Sequence, residues 1–287
     1  MRQKTLGIRE IYNRGAKRLN AAGVRDFQTD AWYLLEYVTG IDKASYLAEP
    51  DRTLTKEQTE RYDACIEKRC RRIPLQHITG EQVFMGLPFL VNEHVLVPRQ
   101  DTEILAEEAL GALKAGDRIL DMCTGSGCIL LSLLKLTKAD NVTGVGADIS
   151  EKALETARRN AENLGVYAEF VQGDLFEHIS PEQKFDLIVS NPPYIRTAVI
   201  EELEEEVRCH DPRIALDGKE DGLYFYRRII EESALYMTRG AWLMFEIGFD
   251  QGAEVTGLME KAGYRNIRIK KDFAALDRVA IGMYNGE

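Results

Sequence analysis

The chain has 287 residues, of which 45% are hydrophobic and 29% charged, and a net charge of −10. This length suits one large domain or two ordinary ones, and the composition is that of a soluble globular protein. Residues 1–97 carry 15 Lys and Arg against 13 Asp and Glu, so the acidic excess lies in the rest of the chain. An acidic protein is a poor match for bare nucleic acid, which binds largely through its phosphates.

The start of the chain, residues 1–12, is charged and lacks the apolar run of a signal peptide, and no later stretch approaches the length of a membrane span. The five cysteines form no Cys-x-x-Cys pair and their number is odd, which disfavours a zinc site or a disulfide framework. The four histidines are scattered. We therefore expect a cytoplasmic protein that binds neither a metal nor a membrane.

A small all-helical domain is predicted for residues 1–72. Apolar residues recur at helical spacing in residues 8–23, and two further helical patterns occupy residues 30–40 and 55–72. Thr55 is a plausible cap for the last of these helices.

The pattern changes after the helical domain. In residues 73–97, short apolar runs are broken by glycine and proline, which predicts a β-hairpin linker with a turn near residues 85–88. In residues 98–287, strands alternate with helices, which predicts a Rossmann-like, doubly wound α/β sheet with helices on both faces. The seven predicted strands occupy residues 118–122, 141–149, 168–175, 185–191, 240–248, 266–272 and 278–284.

A glycine turn follows the first strand of this sheet, in LDMCTGSGCI at residues 120–129. Gly125 and Gly127 allow the backbone to turn tightly and to approach a ligand just before a helix begins. The motif is neither a P-loop nor Gly-x-Gly-x-x-Gly, since position 130 is Leu. By itself it also fits an ordinary strand-to-helix turn.

Carboxylates follow the next two strands. Asp148 ends the second, where an acidic side chain typically accepts hydrogen bonds from ribose hydroxyls. Asp174 follows the third, where it is placed to accept from the exocyclic amine of adenine, with Leu175 against the ring. Because the glycine turn contains no Lys or Arg, the three strand ends favour a nucleoside cofactor without phosphates, and S-adenosylmethionine is the obvious candidate.

The fourth strand, FDLIVS, runs into Asn191-Pro192-Pro193-Tyr194. The prolines have fixed φ and no N–H group, so their carbonyls are acceptors on a stiff loop. Asn191 adds a side-chain acceptor, and Tyr194 adds a ring. Such a loop suits a planar –NH2 group, whereas Asn-Pro alone also occurs in ordinary turns.

The sequence resembles the class I amino-methyltransferases, and most closely the release-factor glutamine N5-methyltransferases. The resemblance rests on the Asn-Pro-Pro-Tyr motif, on DMCTGSG and Asp148, and on three further segments: the helical start, the linker PLQHITGEQVFMGLPFLVNEHVLVPRQDTE, and EEEVRCHDPRIALDGKEDGLYFYRRI. Two departures are Gln100, where the family usually has proline, and Cys123, where it commonly has glycine.

The resemblance implies a methyltransferase that modifies the glutamine of the Gly-Gly-Gln motif in bacterial release factors during translation termination, with S-adenosyl-L-homocysteine as product. It implies that Asn191, Pro192 and Tyr194 act in catalysis and that, with Pro193, they bind the glutamine amide. We also expect a monomer without a direct nucleic-acid partner. The residues expected to bind the cofactor are Cys123, Thr124, Gly125, Ser126, Gly127, Asp148, Ile149, Asp174, Leu175 and Asn191.

Three other functions stay open on the sequence. A DNA adenine-N6 methyltransferase would flip its base into the same loop, although no DNA-reading segment is recognisable. A non-catalytic module that binds S-adenosylmethionine would not need Asn-Pro-Pro-Tyr. A third possibility is methylation of a glutamine in another protein.

Overall fold

The computed structural model describes residues 7–286, and residue contacts divide the chain into two units. The first unit covers Met1–Gly80 with Glu205–His210, and the second covers Glu81–Glu204 with Asp211–Glu287. Part of the charged start of the chain therefore lies outside the described residues. No helix in the described part is long and apolar enough to cross a membrane.

The first unit is helical, as the sequence predicts, and its core is built from the apolar faces of its helices. At Thr55, the predicted cap is confirmed: its hydroxyl accepts the Gln58 N–H at 3.1 Å, and the Gln58 side chain accepts the Thr55 N–H at 3.0 Å. The helices are α1 (Ile8–Ala21), α2 (Phe27–Thr39), α3 (Lys43–Ala48), α4 (Lys56–Cys70) and α5 (Leu75–Thr79).

Two of these helices were not predicted. Both α3 and α5 are too short to show a helical apolar period, and α5 falls at the start of the segment predicted as a hairpin linker. That part of the prediction is wrong for residues 75–79, because Pro74 precedes a single helical turn that ends at Gly80 in the left-handed conformation.

A later segment, α9 (Glu205–His210), also belongs to the first unit. Arg69, which is 5% exposed, donates to Asp30 at 2.7 Å and to both carboxylate oxygens of Glu206 at 2.9 Å. Arg72 pairs with the same Glu206 carboxylate at 3.0 Å. In the basic run of residues 68–72, these two arginines thus hold α9 in place.

The predicted hairpin is confirmed in the second unit. Strands β1 (Glu81–Phe84) and β2 (Leu87–Leu90) pair antiparallel through a two-residue turn at Met85 and Gly86, both of which have positive φ. Its Leu90 end is anchored by Asn160, whose side chain accepts the Leu90 N–H at 2.7 Å and donates to the Leu90 carbonyl at 3.1 Å.

The seven-stranded sheet of the second unit confirms the doubly wound prediction. The strand order is β5-β4-β3-β6-β7-β9-β8; the first five of these strands are parallel, and β9 runs antiparallel to both β7 and β8. Chain order therefore reverses between β3 and β6, the position where open α/β sheets bind ligands. The strands are β3 (Arg118–Met122), β4 (Thr143–Asp148), β5 (Glu169–Gln172), β6 (Phe185–Ser190), β7 (Met237–Glu246), β8 (Arg265–Lys271) and β9 (Asp277–Met283).

Strand β6 shows why its sequence is a continuous apolar run. Ile188 packs into the core on one side of the sheet, whereas Leu187 and Val189 pack into a second core that also contains residues of α6 and α7. Both faces of a central parallel strand are covered by helices, so alternate side chains are apolar on both faces. The helices are α6 (Gln100–Ala112), α7 (Cys128–Leu136), α8 (Glu151–Leu164), α10 (Arg213–Leu216), α11 (Tyr224–Ser233) and α12 (Gly252–Lys261).

Candidate active site

A cavity of about 290 Å³ lies at the carboxyl ends of the parallel strands of the second unit. Its lining combines the turn after β3, the ends of β4 and β5, and the loop after β6 with residues of α6, α10 and α11. The strand ends that the sequence singled out therefore meet at one site.

The glycine turn and the predicted ribose carboxylate are joined directly. The Gly125 N–H donates to Asp148 Oδ2 at 2.9 Å, and the Ser150 N–H donates to Asp148 Oδ1 at 2.9 Å. Burial raises the pKa of Asp148, and these N–H donors oppose that shift because they favour the charged form. Each oxygen keeps a second lone pair, so the carboxylate is oriented and can still accept from a diol.

Below the turn, Asp121 is fully buried at the end of β3. Its Oδ2 accepts the Thr124 hydroxyl at 2.6 Å and the Leu130 N–H at 3.3 Å. Burial raises the pKa of Asp121 to about 7. The buried Asp121 carboxylate therefore holds the glycine turn in place through these two hydrogen bonds, and Thr124 lines the cavity.

Positive φ angles run through the turn, at Cys123 (62°), Gly125 (56°) and Gly127 (78°). A side chain on Gly127 would lie 3.1 Å from Leu131 and 3.2 Å from Ala157, so this glycine permits close packing between α7 and α8. Cys123 adopts the left-handed region of backbone conformation, which favours glycine over a residue with a side chain.

Asp174, which also lines the cavity, forms an ion pair with Arg228 of α11. Arg228 Nη1 donates to the two Asp174 carboxylate oxygens at 2.9 and 2.8 Å, and its guanidinium lies 5.8 Å from the centre of the Tyr224 ring. Arg228 and Tyr224 also line the cavity. The predicted adenine acceptor is therefore held in one orientation by α11.

Asn191 leaves the sheet beside the glycine turn, as predicted. The register pairs Met122 of β3 with Ser190 of β6, so Cys123 and Asn191 follow from adjacent strands. Asn191 Nδ2 lies 3.4 Å from Thr102 Oγ1 on α6, and both residues line the cavity. The amide is thus held on one side and open to the cavity on another.

Tyr194 is anchored away from the glycine turn. Its hydroxyl donates to Glu246 Oε1 at 3.1 Å, and its carbonyl accepts from Gln251 Nε2 at 3.0 Å. Burial, followed by the nearby Glu246 carboxylate, raises the pKa of Tyr194, so the phenol stays neutral. These contacts fix the end of the Asn-Pro-Pro-Tyr loop.

The segment after α10 packs against the same loop. The Ile195 N–H donates to the Leu216 carbonyl at 3.0 Å, and the Gly218 N–H donates to the Ile195 carbonyl at 2.8 Å. A side chain on Gly218 would lie 2.7 Å from the Tyr194 backbone, and one on Gly222 would overlap the Tyr194 carbonyl. Glycine is required at both positions for this close approach.

Most of the predicted site residues come together. Within residues 7–286, the lining of the cavity omits Gly127, Pro192 and Tyr194, which adjoin lining residues in the chain. The predicted residues that line it are Cys123, Thr124, Gly125, Ser126, Asp148, Ile149, Asp174, Leu175, Asn191 and Pro193.

Three residues in or beside the site were not predicted from the sequence: Thr102, Arg228 and Glu246. One signal was present for Glu246, which is an acidic residue at the end of the buried strand β7. Arg228 and Thr102 lie on ordinary amphipathic helices and meet their partners 54 and 89 residues away. The described residues contain no group of three His, Cys, Asp or Glu side chains that could hold a metal ion.

The sequence matches known protein families in both units of the chain. The sequence matches the PrmC N-terminal domain family over residues 10–80 and the Methyltransferase small domain family over residues 100–207. It is 41% identical to the release factor glutamine methyltransferase of Agrobacterium fabrum, with 92% of each chain covered. It is 39% identical to that of Geobacter sulfurreducens, with 96% of each chain covered.

The structure is similar to the crystal structure of a methyltransferase from Pyrococcus furiosus, with a TM-score of 0.53 and 18% identity. The similarity covers 71% of this chain and 91% of the other, and it establishes a shared fold.

Proposed function

The chain belongs to the family of release factor glutamine methyltransferases, and we propose that it methylates the side-chain amide nitrogen (N5) of the Gly-Gly-Gln glutamine in bacterial release factors. S-adenosyl-L-methionine is the proposed methyl donor, with S-adenosyl-L-homocysteine as product. The observation that carries the proposal is that Asn191 lines the same cavity as Asp148 and the glycine turn.

The residues of the cavity fit this donor. Asp148 offers oriented lone pairs to a ribose diol, and Asp174 offers a carboxylate to the adenine amine. The glycine turn at residues 123–127 contains no Lys or Arg to bind phosphates. When bound, S-adenosylmethionine supplies an electrophilic sulfonium methyl group. Thr124, Ser126, Ile149 and Leu175 complete the proposed binding residues.

An amide nitrogen is a poor nucleophile because its lone pair is delocalised. The Asn-Pro-Pro-Tyr loop is proposed to compensate by positioning this nitrogen. Asn191 Oδ1 and the Pro192 carbonyl are proposed to accept the two amide hydrogens of the substrate glutamine, while Pro193 and Tyr194 shape the site around the amide plane. Positioning of this kind lowers barriers by up to ~7–11 kcal/mol in the most favourable cases. Acceptors aimed at the hydrogens also stabilise the positive charge that grows on nitrogen.

Methylation of adenine in DNA is not favoured. The relatives are named as protein-modifying enzymes, and the chain carries a net charge of −10, which opposes binding to phosphate backbones. We propose that the enzyme acts in the cytoplasm as a monomer on a protein substrate, without a direct nucleic-acid partner, metal or membrane.

The test of this function is a mass measurement. Unmethylated release factor is incubated with the enzyme and S-adenosylmethionine, and its intact mass and peptide map are compared with those of a no-enzyme control. One added methyl group on the Gly-Gly-Gln glutamine is expected. No added mass, with cofactor binding confirmed by calorimetry, would reject this substrate.

We also propose three functional parts: a helical substrate-docking domain at residues 1–72, a linker at 73–97 and the methyltransferase domain at 98–287. A Gly-Gly-Gln loop offers little surface by itself, which supports a separate docking domain. Deleting residues 1–72 is expected to abolish methylation of intact release factor while cofactor binding, measured by calorimetry, persists. Methylation at the full rate would contradict a docking role.

A further inference from the structure

Within residues 7–286, Gln251 is a buried amide that does not line the cavity and that the proposed reaction does not use. It directly precedes α12 and is 3% exposed. Its Oε1 accepts the Gly248 N–H at 2.9 Å, and its Nε2 donates to the carbonyls of Tyr194 at 3.0 Å and Gly222 at 3.2 Å. A backbone N–H can only donate and a carbonyl can only accept, so these partners permit one orientation of the amide.

These three hydrogen bonds join segments that are distant in the sequence. Tyr194 ends the Asn-Pro-Pro-Tyr loop, Gly222 lies before α11, and Gly248 lies in the turn after β7. A side chain on Gly222 would overlap the Tyr194 carbonyl and would lie 2.7 Å from Gln251 Nε2, so glycine allows the amide to reach both carbonyls. Gln251 therefore fixes the end of the loop relative to two neighbouring segments.

Little freedom remains inside the Asn-Pro-Pro-Tyr loop. Both prolines have fixed φ, and a residue before proline is restricted to extended conformations, which applies to Asn191 and Pro192. The start of the loop is held by Ser190, which is fully buried and donates from its hydroxyl to the Met122 carbonyl at 2.6 Å. Because the start is fixed, the position of the Tyr194 carbonyl determines where Asn191 and the Pro192 carbonyl lie.

We propose that Gln251 is a positioning residue: by holding the Tyr194 carbonyl, it places the acceptors of the loop where they receive the hydrogens of the substrate –NH2 group. This inference rests on the proposed function, which assigns the acceptor role to Asn191 and the Pro192 carbonyl. The cavity-lining residues of α11 are held separately, because the buried face of that helix packs into the core of the sheet. Loss of the Gln251 amide should therefore affect turnover rather than cofactor binding.

The test measures kcat for release factor and the Kd for S-adenosylmethionine in two variants. Gln251→Met has a similar length but forms none of the three bonds, and it is expected to lower kcat by about 10-fold, the scale of one or two lost hydrogen bonds, with the Kd within about twofold. Gln251→Glu keeps an acceptor for the Gly248 N–H but has no NH2 group, and it should show a similar loss. A kcat equal to that of the parent in either variant would overturn the proposal.

Ser233 provides a matched control on α11. It is fully buried, its hydroxyl donates to the Ile230 carbonyl at 3.1 Å and pairs with the Tyr264 hydroxyl at 2.6 Å, and in the described chain it does not line the cavity. Ser233→Ala removes buried hydrogen bonds away from the loop, so it should lower the stability measured by urea unfolding and leave kcat unchanged. An equal fall of kcat in Ser233→Ala would assign the loss to destabilisation and overturn the positioning role.

A second readout does not depend on activity. The N–H of Ile195, the residue after Tyr194, donates to the Leu216 carbonyl at 3.0 Å. Its hydrogen exchange, followed by NMR, should be faster in Gln251→Met than in the parent, whereas the amides of β6 should keep the parent rate. Unchanged exchange at Ile195, or equal acceleration throughout β6, would overturn the proposal.

Turnover by the parent enzyme separates this role from the proposed function. A parent that binds S-adenosylmethionine but does not methylate release factor would reject the proposed function and the positioning role with it. A parent that methylates release factor, beside Gln251→Met at the same rate, would reject the positioning role alone.

Discussion

Asp148 Oδ2 accepts the backbone N–H of Gly125 at 2.9 Å, which ties the carboxyl end of β4 to the turn after β3. This bond orients the carboxylate before any ligand arrives, and its partner at Ser150 fixes the second oxygen. The glycine turn and the acidic strand end therefore form one preorganised unit.

Asp148→Asn is expected to weaken S-adenosylmethionine binding by about 10- to 100-fold, because hydrogen bonds to a charged group contribute about 1.5–3 kcal/mol. An asparagine can keep one backbone contact but loses the second acceptor oxygen. The measurement is calorimetric titration with the cofactor. Asp140→Asn, at an exposed position before β4, controls for the change in net charge; an unchanged affinity in Asp148→Asn would remove Asp148 from the site.

Arg228→Ala tests whether the ion pair prepares Asp174 for the cofactor. Both side chains are partly exposed, at 28% and 47%, so the pair is worth at most about 1 kcal/mol. We expect up to about fivefold weaker binding of S-adenosylmethionine, measured by calorimetry. Arg227→Ala breaks the neighbouring pair with Asp221 on the surface and serves as the control. Tighter binding in Arg228→Ala would show that Arg228 competes with the cofactor for Asp174.

The raised pKa of the buried Asp121 carboxyl makes the stability of the fold depend on pH. Burial raises its pKa from the ordinary 3.8 to about 7, so the folded protein holds this proton more tightly than the unfolded chain does. The contribution of the Asp121 carboxyl to the free energy of unfolding is therefore fully present at low pH, and it is lost as pH rises from 3.8 to about 7.

Asp121→Asn should remove that dependence. Its free energy of unfolding, from urea titrations, should rise relative to the parent as pH rises from 3.8 to about 7, and the difference should level off above that range. Asp140→Asn, at an exposed position before β4, is measured beside it as the control for the loss of one charge. A difference between Asp121→Asn and the parent that stays constant with pH would contradict the shifted pKa.

Cys123 has a φ of 62°, in the left-handed region. Such a residue costs about 1–2 kcal/mol, and a β-branched side chain there is a steric outlier. Cys123→Val should therefore destabilise the fold by about 2 kcal/mol relative to Cys123→Gly, measured by urea unfolding. Cys209→Val, in exposed α9, controls for β-branching. Equal stabilities of the two Cys123 variants would mean that the turn relaxes to another conformation.

The sequence predicts the placement of the site better than its supporting contacts. Parallel strands deliver their carboxyl ends to one edge, so Gly125, Asp148 and Asn191 meet there once the strand order is known. Local patterns also give the Thr55 cap and the Met85–Gly86 turn, since both depend on neighbouring residues.

The supporting contacts depend on long-range pairing that no local pattern encodes. Glu246 meets Tyr194 across 52 residues, and Arg69 meets Glu206 across 137. The second pair places α9 in the first unit, although its sequence lies between elements of the second. Short helices such as α5 lack the length for a helical period to show.

Asn191 is proposed to act on the substrate amide, and comparing turnover with cofactor affinity separates this role from cofactor binding. In Asn191→Ala, kcat for release factor and the Kd for S-adenosylmethionine are measured on the same preparation, by rapid-quench turnover and by calorimetry. We expect kcat to fall far more than cofactor affinity, because the lost acceptor acts in the transition state. An equal loss in both would contradict it and would assign Asn191 to cofactor binding.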